Sequence, residues 1–350
     1  MQKIEKKWIG NIRGEDVYAF LVTNGKGTLS AEILTYGGIL RSLWYKGTDV
    51  ALGRETLEDY FDNDGYIGPI IGRHAGRIQD AFFTLNRKTY ILPKTENERV
   101  NLHSGDGFHT RVWQAEEVSG EEAAIKLSLV SPDGDGGFPG EVTVSVTFTV
   151  TNDDALRISY CAHTDADTLV NLTSHGYFNL NGHDSGSIEN HTIVMNAAYY
   201  LPNNTLCAPT GEIRSVEGTS FDMRQEKRIG ALLHADFPET NRFGGFDHTM
   251  VLQGTGFRKI AEVTGDKTGI TMECITDRPG VHFYTGNKID PLATYKHRTV
   301  YSTYQGFCLE TQLFPDSMKY PFFPSVILKS GETFQSKTEY RFMLKKEKGK

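Results

Sequence analysis

The chain reads as all-β: a large antiparallel β-sandwich forming one domain over residues 1–350, with few short helices. Three observations predict this. Val142–Val150 (VTVSVTFTV) places Val142, Val144, Val146, Phe148 and Val150 at every second position, the period of a strand with one face against a core. Thirty-six glycines punctuate the chain, which favours many short strands joined by turns. Helix-like patterning is scarce, with 221–233 the best and a short candidate. Single cores usually stop growing near roughly 250–300 residues, with sandwiches the common exception. No internal repeat, linker or low-complexity tract divides these 350 residues.

In chain order, 17–45 reads as strands (VYAFLVTN, then LSAEILTYGGILRSLWY) about a turn at 25–27. Alternation of Leu29, Ala31 and Ile33 and a break at Gly37-Gly38 predict a bulged pair. Residues 56–61 (TLEDYF) suit one helical turn. Residues 67–78 (IGPIIGRHAGRI) form an apolar strand ending in Arg73 and Arg77, which a strand core does not explain. FFTLNRKTYIL reads as a hairpin turning at Asn86-Arg87. NLHSGDGFHTRVW (101–113) is a glycine-punctuated loop carrying His103 and His109. IKLSLV, the DGDGGFPG turn, Val142–Val150 and LRISYCA make a three-stranded antiparallel meander.

NLTSHGYFNLN (171–181) sets His175 in a polar, turn-rich break. Residues 221–233 (FDMRQEKRIGALL) are the best helix, with Asp222 as N-cap. GGFDHTMVL (244–252) passes from loop to strand and offers Asp247 and His248. Residues 270–276, 281–285 and 340–344 read as further strands. Residues 309–328 (LETQLFPDSMKYPFFPSVIL) start as a strand and place Glu310 where the apolar run breaks. Behind it Pro315, Pro321 and Pro324 remove donors and fix φ, which makes a rigid loop rather than a helix.

The net charge of −7, with no basic cluster longer than the terminal KKEKGK, argues against nucleic acid as a partner. Cys161, Cys207, Cys274 and Cys308 are widely spaced, as for reduced thiols in a cytoplasmic protein. The N-terminal stretch has no apolar segment of a secretory signal, and no window approaches about 18 continuous apolar residues, so no membrane association is expected.

Separate segments each carry polar groups ill suited to a sheet core: Arg77, His103, His175, and the carboxylates of Asp247 and Glu310. No HxH, HExxH or paired Cys/His spacing points to a metal. No GxSxG elbow, GxGxxG or P-loop lysine occurs either, so no cofactor is expected. Acid–base chemistry by His and Glu is left, standing level with a non-catalytic sandwich.

A resemblance moves that balance. GRHAGRI (72–78), NLHSGDGFHTRVW (101–113), NLTSHGYFNLNG (171–182), GGFDHTMVL (244–252), GVHFYTGN (280–287) and LETQLFPDSMKYP (309–321) resemble, in order, the signature blocks of the aldose 1-epimerases, or galactose mutarotases. The resemblance implies a large β-sandwich that interconverts the α and β anomers of free aldohexoses such as galactose and glucose, without metal or cofactor. It implies Glu310 as general base and His175 as general acid, with Arg77, His103 and Asp247 on the sugar hydroxyls and His282 in place of a frequent Gln. The chain also departs from the family pattern at Gly76, Ser104, Ser174 and Lys319. The expected partner is a small free sugar, and the expected assembly a monomer or weak homodimer. Two rivals stand beside this reading: an epimerase of a phosphorylated or otherwise modified sugar, for which Lys319 is the only hint, and a non-catalytic sugar-binding or regulatory protein. His74, His109 and His248 are read as structural or surface residues.

Overall fold

The computed structural model describes residues 2–62 and 65–345. Among these the largest sheet has nine strands. It begins with the meander Gln114–Val118, Ala123–Ser131, Val142–Val150 and Ala155–Thr164, then continues through Thr333–Leu344, Ile270–Thr276, Arg258–Thr264, Thr192–Met195 and Lys227–Arg228. Every pairing in it is antiparallel. Val142, Val144, Val146, Phe148 and Val150 are all buried, as their alternation requires.

Two five-stranded sheets complete the sandwich. The first runs in sequence order from Lys3–Ile12 to Thr48–Asp49 and sends Phe20, Val22, Ala31 and Ile33 into a core shared with the valines of the large sheet. The second has the order Arg214–Ser215, Ala197–Tyr200, Asp247–Leu252, Gly280–Tyr284, Cys308–Gln312. Its Met250, Val281, Phe283 and Leu309 join the same core, and the Tyr340 hydroxyl donates to the Leu309 carbonyl at 2.8 Å across the layers. The strand class is therefore as the alternation predicts.

Local expectations fared unevenly. The hairpin Phe82–Leu85/Lys88–Ile91 turns at Asn86-Arg87, both with positive φ (50° and 65°), the geometry of a type I′ turn. Residues 221–233 are not one helix. Only Ile229–Leu233 is helical, no side chain caps it, and Asp222 instead pairs with Arg224. The cause is competition: Lys227 and Arg228 extend the edge of the large sheet against Thr192 and Ile193, while Phe221 and Met223 drop into the core. A helix at Pro238–Phe243 went unread, although proline at its start and Gly244 (φ 65°) at its end are its signals. The strand Lys3–Ile12 also went unread. It is an exposed edge with polar residues on both faces.

Candidate active site

The floor of the site is one face of three neighbouring strands. Asp247, Thr249 and Val251 lie opposite Tyr284, His282 and Gly280. These in turn lie opposite Cys308, Glu310 and Gln312. Side chains alternate across a strand, so the nine share a face, and Thr249, His282 and Glu310 form one straight row. The intervening residues Met250, Val281, Phe283 and Leu309 enter the core. Glu310 is thus in the middle of the strand Cys308–Gln312, not at its end, and it is buried. The break in apolar character that suggested a strand end marks a position facing a cavity.

The walls come from earlier in the chain. Arg77 starts the strand Arg77–Gln79, which pairs with Val100–Leu102 so that Leu102 opposes Arg77. His103 follows at once with φ 53°, and its Nδ1 accepts the Gly76 N–H at 3.2 Å. His175 follows the two-residue strand Thr173–Ser174, which pairs with Ile70–Ile71. Its ring stacks on Tyr177 at 5.2 Å, with Tyr66 and His103 at 5.9 and 5.5 Å. Together floor and walls bound a cavity of about 200 Å³.

The charges in it are arranged in two groups. In the first, His175 Nε2 faces Glu310 Oε1 at 3.6 Å, and Cys308 Sγ lies 3.6 Å from His175 Nδ1. Burial holds the imidazole of His175 below its ordinary pKa, against the opposing pull of the Glu310 charge. In the second, Asp247 accepts from His282 Nε2 at 2.8 Å and has Arg77 Nη1 at 3.7 Å. Burial pushes its carboxyl up, but Arg77 and His282 together outweigh this and hold it well below the carboxylate range. An ionised carboxylate only accepts, so Nε2 of His282 carries the proton and the Thr249 hydroxyl meets Nδ1 at 3.1 Å. Arg77 is also gripped by Glu96 through Nε (2.6 Å) and Nη2 (3.1 Å). Burial, then the nearby His175 and Arg77, push His103 far below the ordinary range; with Nδ1 accepting, the neutral ring keeps its hydrogen on Nε2.

The structure brings all six expected residues, Arg77, His103, His175, Asp247, His282 and Glu310, to this cavity. Sequence reading missed Glu96, Tyr66, Thr249 and Gln312. The last two were findable two positions along their strands from Asp247 and Glu310, whereas nothing near Glu96 marks it. Of the aromatics near the motifs, Tyr177 and Tyr284 line the cavity, while Phe246 and Phe283 are core. Arg73 is structural: it is buried and donates to Ser131 Oγ and to the carbonyls of Ser131, Pro132 and Pro139. His74 and His248 are buried outside the cavity lining, and burial lowers them to about 4 and about 3. Lys319 does not line the cavity; its Nζ donates to the Gln79 carbonyl at 2.6 Å and to Asp80 at 3.2 Å. Among the described residues, His175, Cys308 and Glu310 bring metal-ligand atoms within 4.8 Å of one another. The sulfur faces Nδ1 and the carboxylate Nε2, so the two meet opposite edges of the ring.

Comparison with known proteins agrees with the geometry. The family model described as aldose 1-epimerase matches residues 19–341. A galactose mutarotase of Bos taurus is 38% identical over 321 residues, covering 90% of this chain and 91% of that one. An aldose 1-epimerase of Escherichia coli K12 is 34% identical, covering 91% and 90%. The crystal structure of a galactose 1-epimerase from Lactobacillus acidophilus NCFM superposes with a TM-score of 0.89 at 25% identity over 98% of this chain and 99% of that one. With a strand-borne carboxylate facing a buried histidine across such a cavity, and a family match over nearly the whole sequence, this chain belongs to the aldose 1-epimerase family.

Proposed function

We propose that this enzyme interconverts the α and β anomers of a free aldohexose such as galactose or glucose by opening and reclosing the sugar ring, with Glu310 as base and His175 as acid. The observation that carries the roles is the opposition of Glu310 Oε1 and His175 Nε2 at 3.6 Å. Both reacting oxygens, the anomeric O1 and the ring O5, sit on the same carbon, so an acid and a base that serve them must themselves lie close.

Glu310 takes the proton of the O1 hydroxyl as electrons move to form the aldehyde, the C1–O5 bond breaks, and His175 delivers a proton from Nε2 to O5. Rotation about C1–C2 presents the other face of the aldehyde. His175 then takes the O5 proton back as O5 attacks C1, and Glu310 returns its proton to O1. Each group ends as it began. A positioned acid or base contributes about 10²–10⁴-fold. Asp247, held ionised, accepts from sugar hydroxyls, and His103 Nε2–H and Arg77 donate to them, with His282 completing the row.

An unmodified sugar fits the charges better than a phosphorylated one. Of the cations at the cavity, Arg77 is committed to Glu96 and Asp247, and Lys288 lies 3.9 Å from Glu96. The four free thiols favour the cytoplasm. Among the described residues no helix is long and apolar enough to cross a membrane. A monomer or weak homodimer acting without nucleic acid completes the reading, and sedimentation at several concentrations tests the assembly.

The decisive experiment is polarimetry of freshly dissolved α-D-galactose and α-D-glucose with wild type, Glu310→Gln and His175→Asn. Wild type should speed the decay of rotation, and each variant should lose about 10²–10⁴-fold in kcat. Acceleration surviving in Glu310→Gln overturns the base assignment. No acceleration of either sugar by wild type overturns the reading.

A further inference from the structure

The acid–base mechanism makes a demand on His175 that Glu310 does not meet. To give a proton from Nε2 and later take it back at the same atom, the ring must keep its other nitrogen satisfied throughout and must not rotate. Nε2 faces Glu310, so the group at Nδ1 decides the matter. That group is Cys308 Sγ, 3.6 Å away, fully buried and two residues before Glu310 on the same strand. The shared strand and shared face aim both side chains at one imidazole.

We infer that Cys308 is the positioning residue of His175: its thiol occupies Nδ1 so that Nε2 stays turned to Glu310 and the sugar, and, as a weak uncharged partner, it leaves the ring a readier proton donor than a carboxylate would. The inference rests on the roles proposed for His175 and Glu310. Sulfur suits the task in two ways. A thiol both donates and accepts weakly, so it meets Nδ1 whether that atom carries hydrogen or not. A carboxylate at Nδ1 would instead stabilise the imidazolium and blunt it as an acid. Burial, followed by the Glu310 charge, pushes the Cys308 thiol well above its ordinary pKa, which keeps it neutral beside the ring.

Other groups also act on this ring. Glu310 faces Nε2, and His282 and Asp247 reach it electrostatically from the adjacent strands. His103 and His109 act from the 103–110 loop, and Tyr66, Tyr177 and Tyr284 contact it through their rings. None of these is hydrogen-bonded to Nδ1 among the described residues, where Cys308 alone meets it. Because the Cys308 thiol also meets the Tyr177 side chain, the test includes a readout at Nδ1 itself.

Cys308→Ala removes the partner, and Cys308→Ser supplies a hydroxyl, a stronger acceptor. With galactose, Cys308→Ala should lower kcat about tenfold with little change in KM, as loss of an orienting partner does, and Cys308→Ser should restore most of it. The alkaline limb of kcat/KM reports loss of the His175 proton. It should move down by about half a pH unit in the alanine variant and up by a similar amount in the serine variant, because only the second stabilises the imidazolium. A merely structural role gives two variants shifted the same way or not at all, and either result overturns the inference. A second readout needs no activity: the ¹⁵N resonance of His175 Nδ1, assigned by its loss in His175→Asn, should move in Cys308→Ala while Nε2 moves less. An unmoved Nδ1 also overturns it. Failure of the mutarotase reading looks different, since wild type itself would then leave the rotation of both sugars unaccelerated.

Discussion

Asp247 and Asp316 show one residue type under opposite burial outcomes. Asp247 is buried but compensated by Arg77 and His282, so its pKa is held low in the folded protein. Its stabilising contribution is therefore present above the unfolded value of about 3.9 and is lost as pH falls toward the folded one. Asp247→Asn should raise KM for galactose at least tenfold and destabilise the fold by about 1–3 kcal/mol, because two buried donors lose a charged acceptor. Urea unfolding and initial rates check both. Asp316 is 2% exposed, has Lys319 Nζ at 3.7 Å, and among the described residues neither of its carboxylate oxygens makes a well-formed hydrogen bond. Burial raises it to about 6, against the pull of Lys319. Here the sign reverses: stability should fall as pH rises from about 4 through about 6, and the deficit persists above. Asp316→Asn keeps the left-handed backbone (φ 55°), which Asn tolerates, and should add about 1–2 kcal/mol at pH 8 but almost nothing at pH 4.

At the scale of elements, the hairpin at 82–91 offers a clean test. Arg87 holds φ 65° in a turn that wants Gly at this position. Arg87→Gly should stabilise by about 0.5–1 kcal/mol, the left-handed cost of about 1–2 kcal/mol less the extra chain entropy of glycine. Thermal denaturation measures it. The strands under the cavity explain what sequence reading could reach. Of the three, only GVHFY alternates apolar with polar; DHTMVL and CLETQ run polar and apolar residues together, so Thr249 and Gln312 emerge as cavity-facing only by stepping two positions along the strand from Asp247 and Glu310. Glu310 reads as a strand end because the apolar run breaks there; a polar residue inside a strand looks like a terminus until its neighbours supply a cavity. Glu96 is different. It meets Arg77 only through tertiary folding, from a segment of charged residues (KTENER) with no period. The 221–233 stretch failed for a related reason: pairing with Thr192 and Ile193 at a sheet edge overrode local helix preference.

For the whole molecule, one hydrophobic cluster runs from Phe20 in the first sheet through Val146 in the large sheet to Leu309 and Phe342. No sheet can lose its partner without exposing that core. Calorimetry should show a single transition with calorimetric and van't Hoff enthalpies in agreement. Two separated transitions would divide the chain into independent units. The fold class was visible in the alternation over Val142–Val150, which demands a covered face, taken together with the many short glycine-punctuated strands and the scarcity of helix. The convergence of Arg77 and His103 with Glu310 was not visible, since it depends on how the sheets are stacked.

The three strands beneath the cavity have one further consequence. Because Asp247, Thr249, His282, Glu310 and Gln312 point one way and Met250, Val281, Phe283 and Leu309 the other, each strand interleaves two texts. Randomising the first set should yield soluble proteins with altered or absent turnover. The same library moved one residue along should yield mostly aggregates, as protease survival on a display platform would report. Chemistry and scaffold can then evolve almost independently within a single stretch of five residues, and a new sugar preference need not cost the protein its architecture.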